Sequence, residues 1–331
     1  MCSIVPTVSI IILNWNGKRF LKECLGSLQV QTFPDFETIL LENGSSDGSA
    51  EFVRDSYPWV HLVPLKENIG FAGGNNRALV ECKGEFIVTL NNDTKLEPGF
   101  LAALVSAAEA DPHIGMVAAK MLNFYEPGRI DSVGVRIATN GMGQNIGVGE
   151  EDRGQYDIPA EVFGPCAGAA LYRRSMLDQV GFFDDSFFAY YEDLDLAWRG
   201  RLAGWRAVTA PDAVVYHVHS ATSGKMSAFT VYQVQRNKWF VLLKNWPTPL
   251  LVQHFLLIKV FDLAALVLAV LRGRGGAAVK ARFAVLKYLP SLLRARKHVQ
   301  SMGTVTNAEV EKFFSKSEGA IATFRRKMWD R

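Results

Sequence analysis

Two kinds of metal-ligating side chain directly follow apolar segments of this sequence. Asp93 comes after the apolar residues 86–90, while His217 and His219 follow residues 213–216 and alternate onto one side. Carboxylate and imidazole groups can hold Mg²⁺ or Mn²⁺ together with the oxygens of a diphosphate. The ordinary alternatives are a turn residue at Asp93 and structural histidines. We expect a divalent metal at Asp93 and one histidine, with a phosphate-facing loop at residues 220–225.

Three acidic side chains close together could remove a proton from a hydroxyl group. Glu192, Asp193 and Asp195 all fall in one predicted helix. Asp195 and Arg199 are four residues apart, which predicts a surface ion pair, and Glu192 shares their face. Asp193 lies off that face and is expected to point into a cleft as a general base. The alternative role for Asp193 is to stabilise the amino end of the helix.

Amide and carboxylate side chains also follow two earlier apolar runs. Asn14 and Asn16 come after residues 8–13, and Glu42 comes after residues 36–41. Glu42 can accept a hydrogen bond from the imide N–H of uracil or thymine, and the two asparagines can support the same base. A turn that ends in a helix cap is the alternative, and it is compatible with base binding.

A glycine-rich segment, residues 68–76, could approach a ligand closely. It contains Asn68, Gly70, Gly73 and Asn75, and a helix is predicted to begin at Asn75. Glycine lets the backbone come near a ligand, and the amino end of a helix favours phosphate. The alternative is a glycine-rich turn without a ligand.

These side chains need a scaffold that brings the ends of several segments together. Apolar runs alternate with polar loops and helical spacing, which predicts a parallel sheet with right-handed crossovers. Ligands of such sheets lie beyond the carboxyl ends of the strands. The predicted strands are residues 8–13, 36–41, 60–64, 85–90, 115–120, 163–172, 207–209 and 213–217. The predicted helices are residues 18–29, 50–56, 75–82, 100–110, 175–180 and 192–203, and residues 140–154 are expected to form a mobile loop or hairpin.

The composition changes near residue 228, so we divide the chain into a catalytic domain, 1–227, and a helical region, 228–331. Residues 249–271 are long and apolar enough for a transmembrane helix, but they include His254, Lys259 and Asp262. Residues 272–331 hold fourteen Lys or Arg and four Asp or Glu, a net charge of +10 in a chain of net charge +3. We favour helices that lie in the membrane interface. A spanning helix and a soluble helical subdomain are the alternatives.

The composition also limits the partners and the compartment. The four cysteines form no CxxC pair, and residues 1–6 lack the features of a signal peptide, so we expect reduced cysteines in the cytosol. The basic residues of the tail alternate with Leu and Ala instead of aromatic residues, so no nucleic-acid partner is expected. The oligomeric state stays open, and a homo-oligomer is compatible with the sequence.

These segments, in this order, resemble glycosyltransferase family 2. The resemblance covers about residues 8–240, and Asn-Ile-Gly-Phe-Ala-Gly-Gly-Asn-Asn at 68–76 is similar to the bacterial rhamnosyltransferase branch. The family implies an α/β GT-A fold, with a Rossmann-like, mostly parallel sheet flanked by helices. It also implies a metal-dependent, inverting mechanism and a nucleotide-diphospho-sugar donor.

The resemblance assigns roles to particular residues. Asp93 matches the metal ligand of the family's Asp-x-Asp element, although Asn91 stands where the first Asp often does. Asp193 matches the catalytic base, and His217 matches the metal-binding histidine better than His219 does. Glu42 replaces the commoner Asp at the base-reading position.

The remaining site residues follow from the same comparison. Asn92 is expected to contact the nucleotide sugar, while Gly168, Tyr191 and Glu192 are expected to contact the acceptor. The preferred donor is dTDP-rhamnose and the preferred acceptor a saccharide on a lipid diphosphate, at the cytoplasmic face of the plasma membrane. This reaction would serve cell-surface polysaccharide synthesis.

Three other functions are the alternatives. One is a transferase of the same fold with a UDP-sugar donor, and another is an inactive sugar-nucleotide-binding scaffold, which Asn91 favours. The third, a nucleotidyltransferase, would need a basic, glycine-rich phosphate loop after the first strand, and Asn14-Trp-Asn-Gly17 does not supply one.

Overall fold

The computed structural model describes residues 5–218 and 227–315, which divide into two units. The first unit comprises residues 5–135, 145–200 and 205–218. The second comprises residues 136–144, 201–204 and 227–315. The candidate His219 and the predicted loop at residues 220–225 lie outside the described residues.

A nine-stranded sheet forms the centre of the first unit. Its strands are β1 (Val8–Asn14), β2 (Phe36–Asn43), β3 (His61–Leu65), β4 (Phe86–Asn91), β5 (Thr94–Leu96), β6 (Ile114–Asn123), β7 (Ile130–Ser132), β10 (Ala169–Arg173) and β11 (Arg206–His217). Their order across the sheet is β3-β2-β1-β4-β10-β6-β11-β5, with β7 paired to β6. Strands β1 to β4 are mutually parallel, and β6 is parallel to β11. Ile10, Ile11 and Ile12 are fully buried because helices cover both faces of β1.

Helices follow the strands in the order that the sequence predicts. They are α1 (Lys18–Gln29), α2 (Ser49–Ser56), α3 (Gly70–Leu79), α4 (Phe100–Glu109), α5 (Arg174–Val180) and α6 (Glu192–Leu202). The helix α1 buries Leu21, Leu25 and Leu28, whose spacing of three and four residues places them on one face. These side chains belong to the same apolar core as Ile10 of β1 and Leu40 of β2.

Several elements differ from the sequence prediction, which did not include β5 and β7. The helix α3 begins at Gly70 instead of Asn75, and β10 begins six residues later than predicted. The two extended segments predicted near residue 210 form one strand, β11, with a register shift between Ala210 and Val214. The strand β10 is antiparallel to both β4 and β6, so the sheet is mixed.

The second unit is mainly helical. It contains α7 (Ala228–Asn245), α8 (Thr248–Leu271), α9 (Gly275–Ser301) and α10 (Asn307–Glu311), with a small sheet of β8 (Val135–Ala138), β9 (Gly143–Asn145) and β12 (Phe314–Ser315). Val231 of α7, Ala269 of α8 and Ala278 of α9 form a buried apolar cluster. Within the described ranges, α8 alone is long and apolar enough to cross a membrane, judged by length and composition.

Candidate active site

Asn14 stands at the carboxyl end of β1 and links two neighbouring strand ends. Its side-chain amide donates to Glu42 Oε2 at 2.7 Å, and its Oδ1 accepts from Asn92 Nδ2 at 2.6 Å. Glu42 also accepts from Ser45 and Ser49, and its side chain is only 3% exposed. The predicted residues Asn14, Glu42 and Asn92 therefore meet in one polar cluster.

The loop after β1 closes over this cluster. Asn16 has a positive φ of 51°, and its Oδ1 accepts from the amide of Ser46 at 2.9 Å. A Cβ at Gly17 would lie 2.0 Å from Asn92 Nδ2, so only glycine fits there. Trp15, 40% exposed between the two asparagines, presents an aromatic face that the sequence analysis did not single out.

Asp93, in the turn between β4 and β5, lies close to His217, the last residue of β11. Asp93 Oδ1 lies 3.4 Å from His217 Nε2, and both side chains are mostly buried. The other ring nitrogen, Nδ1, lies 2.6 Å from Oδ2 of Asp131 on β7. Burial lowers the pKa of His217, but hydrogen bonds with Asp131 and Asp93 outweigh it and raise that pKa to about 9.

This arrangement has the donor chemistry of a metal site. A metal-bound histidine commonly directs its second nitrogen to a carboxylate, as His217 does toward Asp131. In the part of the chain that the structure describes, no three His, Cys, Asp or Glu side chains are grouped as a complete metal site. Mg²⁺ and Mn²⁺ often take few protein ligands and complete their shell with phosphate and water, so two protein ligands fit.

A backbone segment before β10 connects this pair with the acidic helix α6. The side-chain Nδ2 of Asn91 lies 3.2 Å from His217 Nε2. The backbone amide of Asn91 donates to the carbonyl of Gly168 at 2.9 Å. The neighbouring amide of Ala167 donates to Asp193 Oδ2 at 3.4 Å. The predicted acceptor residue Gly168 therefore lies between the Asp93–His217 pair and Asp193.

The three acids of α6 have different environments. Asp195 is fully buried and accepts from Arg199 Nε at 2.9 Å, so the predicted surface ion pair is in fact buried. Arg199 also donates to the backbone carbonyls of residues 180–182, which explains why the pair is internal. The carboxylate of Asp195 therefore has a structural role.

Glu192 and Asp193 differ in their readiness to ionise. Burial, and then the charge of Asp193, holds the pKa of Glu192 well above its ordinary value, and Glu192 Oε2 has no hydrogen-bond partner among the described residues. Burial also raises the pKa of Asp193, but hydrogen bonds from the amides of Leu194 and Ala167 oppose this. Asp193 is therefore the member of the pair that ionises first.

Residues 188–191 join this helix to α3. Phe188, Tyr190 and Tyr191 have positive φ values of 63°, 70° and 71°, and the carbonyl of Tyr191 accepts from the amide of Asp195. The carbonyl of Phe188 accepts from the amides of Phe71 and Ala72 at 2.6 and 3.1 Å. Tyr191 therefore belongs to a constrained turn at the start of α6.

The glycine-rich segment, residues 68–76, makes several hydrogen bonds within the protein. The first amides of α3 already donate to Phe188, and the amide of Gly70 donates to Asn68 Oδ1 at 2.8 Å. Asn75 donates to the carbonyl of Phe71, and Gly73 lies in the second turn of the helix. The amides of Gly70, Phe71 and Ala72 thus already have acceptors within the protein, and contact of Asn68, Gly70, Gly73 and Asn75 with the nucleotide sugar stays a prediction.

Asp131 is the residue of this site that the sequence analysis missed. It lies in a short strand of three residues, Ile130–Ser132, with no motif around it. Its carboxylate is 5% exposed and contacts His217 across 86 positions of sequence. Its sequence neighbours include Arg129 and Ser132, so no apolar pattern or motif marks Asp131 as the partner of a distant histidine.

Comparisons with known proteins identify the family of this chain. The model of the glycosyl transferase family 2 matches residues 9–181. An N-acetylglucosaminyl-diphospho-decaprenol L-rhamnosyltransferase from Mycobacterium tuberculosis is 27% identical over 246 residues, which is 68% of this chain and 79% of that protein.

Solved structures show the same fold. The mannosyltransferase PcManGT from Pyrobaculum calidifontis, in complex with GDP-Man and Mn²⁺, has a TM-score of 0.55 at 19% identity and covers 99% of this chain and 89% of its own. TarS from S. aureus, in complex with UDP, has a TM-score of 0.53 at 17% identity and covers 89% and 90%. The predicted GT-A fold and the predicted resemblance are therefore confirmed. With the family model matching more than half of its residues, the chain is a member of glycosyl transferase family 2.

Proposed function

We propose that this glycosyltransferase moves a sugar from a nucleotide-diphospho-sugar to a saccharide acceptor, with inversion at the anomeric carbon. The observation that carries the proposal is a continuous line of contacts at the strand ends. It runs from Asn14 to Asn92 and the adjacent Asp93, and then through His217, Asn91 and Gly168 to Ala167, whose amide donates to Asp193. The residues proposed to bind the nucleobase, the proposed pair of metal ligands and the proposed general base occupy successive parts of that line.

Asn14 and Glu42 are proposed to hold the base of the donor. A carboxylate offers about four acceptor positions, and the contacts of Glu42 with Asn14, Ser45 and Ser49 use three of them. One position is left for the imide N–H of thymine or uracil. Trp15 and Asn16 follow Asn14 in the chain, and the partly exposed indole of Trp15 is proposed to stack on the nucleobase.

Asp93 and His217 are proposed to hold the divalent metal, with Mg²⁺ and Mn²⁺ as the two candidates. Such a metal, when bound, stabilises the charge that develops on the leaving diphosphate. Asp131 keeps the imidazole of His217 oriented, and Asn92 holds the preceding turn to Asn14. Asn91 replaces a carboxylate here, so the protein contributes fewer negative charges to the metal.

Asp193 is proposed to accept the proton of the acceptor hydroxyl as that oxygen attacks the anomeric carbon. Asp195 is bound to Arg199, and Glu192 holds its proton more tightly than Asp193 does. A single displacement from the face opposite the diphosphate inverts the configuration. Gly168, Tyr191 and Glu192 lie beside the base and are proposed to line the acceptor side.

The preferred donor is dTDP-rhamnose, and the preferred acceptor is a saccharide carried on a lipid diphosphate. The support is the name of the 27% identical mycobacterial relative, which acts on a lipid-linked N-acetylglucosamine. The product would enter polysaccharide synthesis at the cell surface. Because thymine and uracil share the imide that Glu42 would contact, a UDP-sugar is the second candidate donor.

We further propose that the enzyme works at the cytoplasmic face of the plasma membrane, as a peripheral or monotopic protein. A lipid-linked acceptor requires the site to reach the membrane. The net charge of +10 in residues 272–331 favours an anionic surface.

A donor screen tests the proposed function. The purified protein is incubated with dTDP-rhamnose, UDP-sugars and GDP-mannose, with and without Mn²⁺, and its melting temperature and donor hydrolysis are measured. We expect dTDP-rhamnose to raise the melting temperature most, and more with Mn²⁺ than without. Binding without any turnover, with every donor and acceptor lipid tried, would instead support the inactive scaffold. Preference for a UDP-sugar would replace rhamnose as the donor.

A further inference from the structure

Exposed apolar side chains concentrate on two helices of the second unit. Among the described residues, α8 and α9 carry more large exposed apolar side chains than all other elements together. A soluble protein rarely leaves such a continuous apolar surface in water, because its exposure is unfavourable. This surface therefore needs a partner.

The exposed side of α8 is apolar along nearly its whole length. Its residues recur every three or four positions and so form one stripe: Val252, Leu256, Val260, Leu263, Val267 and Val270. Leu256 is 80% exposed and Leu263 is 61% exposed. Lys259, at the edge of the stripe, bends toward the ring of Trp239 at 5.2 Å.

On its opposite side, α8 carries a buried carboxylate that is hydrogen-bonded to α7 and α9. Asp262 is 7% exposed and accepts from Trp239 Nε1 of α7 at 2.8 Å and from Arg282 Nη2 of α9 at 3.0 Å. The neighbours are themselves polar helices, and α9 carries many basic residues. A helix held in this way cannot cross a bilayer alone, and α9 is too charged to cross with it.

The helix α9 adds a charged border to the surface. Three basic side chains each follow an exposed apolar one at intervals of seven residues, which places two adjacent stripes on the helix. The pairs are Val279 with Lys280, Leu286 with Lys287, and Leu293 with Arg294. Apolar residues beside cationic ones are typical of helices that lie in the interface of an anionic membrane.

We propose that α8 and α9 form a monotopic anchor that lies in one leaflet of an anionic phospholipid bilayer. The α8 stripe inserts among the upper acyl chains, and Lys280, Lys287 and Arg294 contact the phosphate groups of the lipids. The complementary charge favours this occupant over a second copy of the chain, which would bring the same basic residues together. The anchor specifies how the proposed lipid-linked acceptor would be reached, and its binding to lipid does not depend on catalysis.

Vesicle binding by the full-length protein tests the anchor. Sedimentation is measured with vesicles of phosphatidylcholine alone and with vesicles that also contain phosphatidylglycerol. We expect the wild type to bind the anionic vesicles at least about tenfold more tightly. The double variant Leu256→Glu/Leu263→Glu should lose at least about tenfold in binding, because charged groups resist insertion.

The control variant is Ile158→Glu, which changes an apolar residue that is 81% exposed outside these helices. It should bind vesicles like the wild type, and circular dichroism should show that all variants are folded. Unchanged binding of the α8 double variant would overturn the anchor. Light scattering without lipid adds a second arm: a wild-type dimer that the double variant abolishes would assign the surface to self-association and also overturn it.

Insertion depth separates an interfacial helix from a spanning one. Val260 lies near the middle of α8 and is 54% exposed, so Val260→Trp reports the depth of that point. Quenching of its added fluorescence should be stronger with lipids brominated near the headgroup than with lipids brominated near the chain end. The reverse order would place the middle of α8 at the bilayer centre and contradict the anchor. Donor-induced stabilisation is measured in parallel, so that loss of the anchor and loss of the proposed function are distinguishable.

Discussion

His217 is held between two carboxylates, and only one of them can share a metal with it. Asp93 faces Nε2, while Asp131 faces Nδ1 from the opposite side of the ring. Asp131 therefore acts as a positioning residue, since it fixes which nitrogen points toward Asp93.

Replacing Asp131→Asn should weaken Mn²⁺ binding by about 10- to 100-fold while leaving the fold intact, because the amide holds the imidazole less firmly. Calorimetric titration of Mn²⁺ in the presence of a nucleoside diphosphate measures this directly. Asp157→Asn is the matched control, since Asp157 is more exposed and pairs with Lys120 instead. Equal Mn²⁺ affinity in the Asp131 variant and the wild type would remove Asp131 from this role.

The acid pair Glu192–Asp193 leads to a pH dependence. The proposed general base, Asp193, must be ionised to accept a proton, and burial raises its pKa. Transfer should therefore fall as the pH drops through a value above the ordinary aspartate pKa of about 3.9.

The variant Glu192→Gln tests whether Glu192 or Asp193 is the general base that causes this pH dependence. Glu192 is held protonated by its burial and by the neighbouring charge, so Gln should raise the acceptor KM but keep the acid limb of kcat at a similar pH. Steady-state rates over a pH series measure both. Complete loss of kcat in this variant would make Glu192 the base.

At the level of elements, α3 shows where local patterns mislead. Its glycines disfavour a helix, so the sequence predicts a loop up to Asn75, yet the helix begins at Gly70. Tertiary packing decides the outcome, since a Cβ at Gly74 would lie 2.4 Å from Leu13 Cδ1. The helix can approach β1 closely only with glycine at this position.

Replacing Gly74→Ala should therefore reduce the free energy of unfolding by about 1–3 kcal/mol through overpacking. Gly26→Ala is the control, because a Cβ at Gly26 of α1 meets nothing within 4 Å. That change should stabilise the protein by about 0.4–1 kcal/mol. Urea unfolding followed by circular dichroism compares the two, and equal stabilisation by both variants would contradict the close approach of α3.

Sequence patterns predicted the first half of the sheet well and the second half less well. Strands β1, β2 and β4 are largely buried, so continuous apolar runs identify them. The antiparallel insertion of β10 between β4 and β6 depends on long-range pairing, which no local pattern records. The Asp131–His217 contact, 86 residues apart, is unpredictable for the same reason.

At the scale of the whole molecule, a family 2 glycosyltransferase unit is joined to a helical unit with an apolar and basic surface. We propose that the first supplies the residues for sugar transfer and that the second supplies the membrane contact. A lipid-linked acceptor would connect the two roles. Transfer to such an acceptor, and not donor binding alone, is therefore the activity that tests the proposal.

The most direct measurement compares wild type and Asp193→Asn for transfer and for donor binding. Transfer of labelled rhamnose from dTDP-rhamnose to a lipid-linked saccharide is followed together with the Kd for the donor. We expect the wild type to give product of inverted configuration. In the variant, the rate should fall by at least about 100-fold while the donor Kd changes little, since general-base catalysis contributes about 10²–10⁴-fold. Near-normal turnover by Asp193→Asn, or product of retained configuration, would contradict the proposed mechanism.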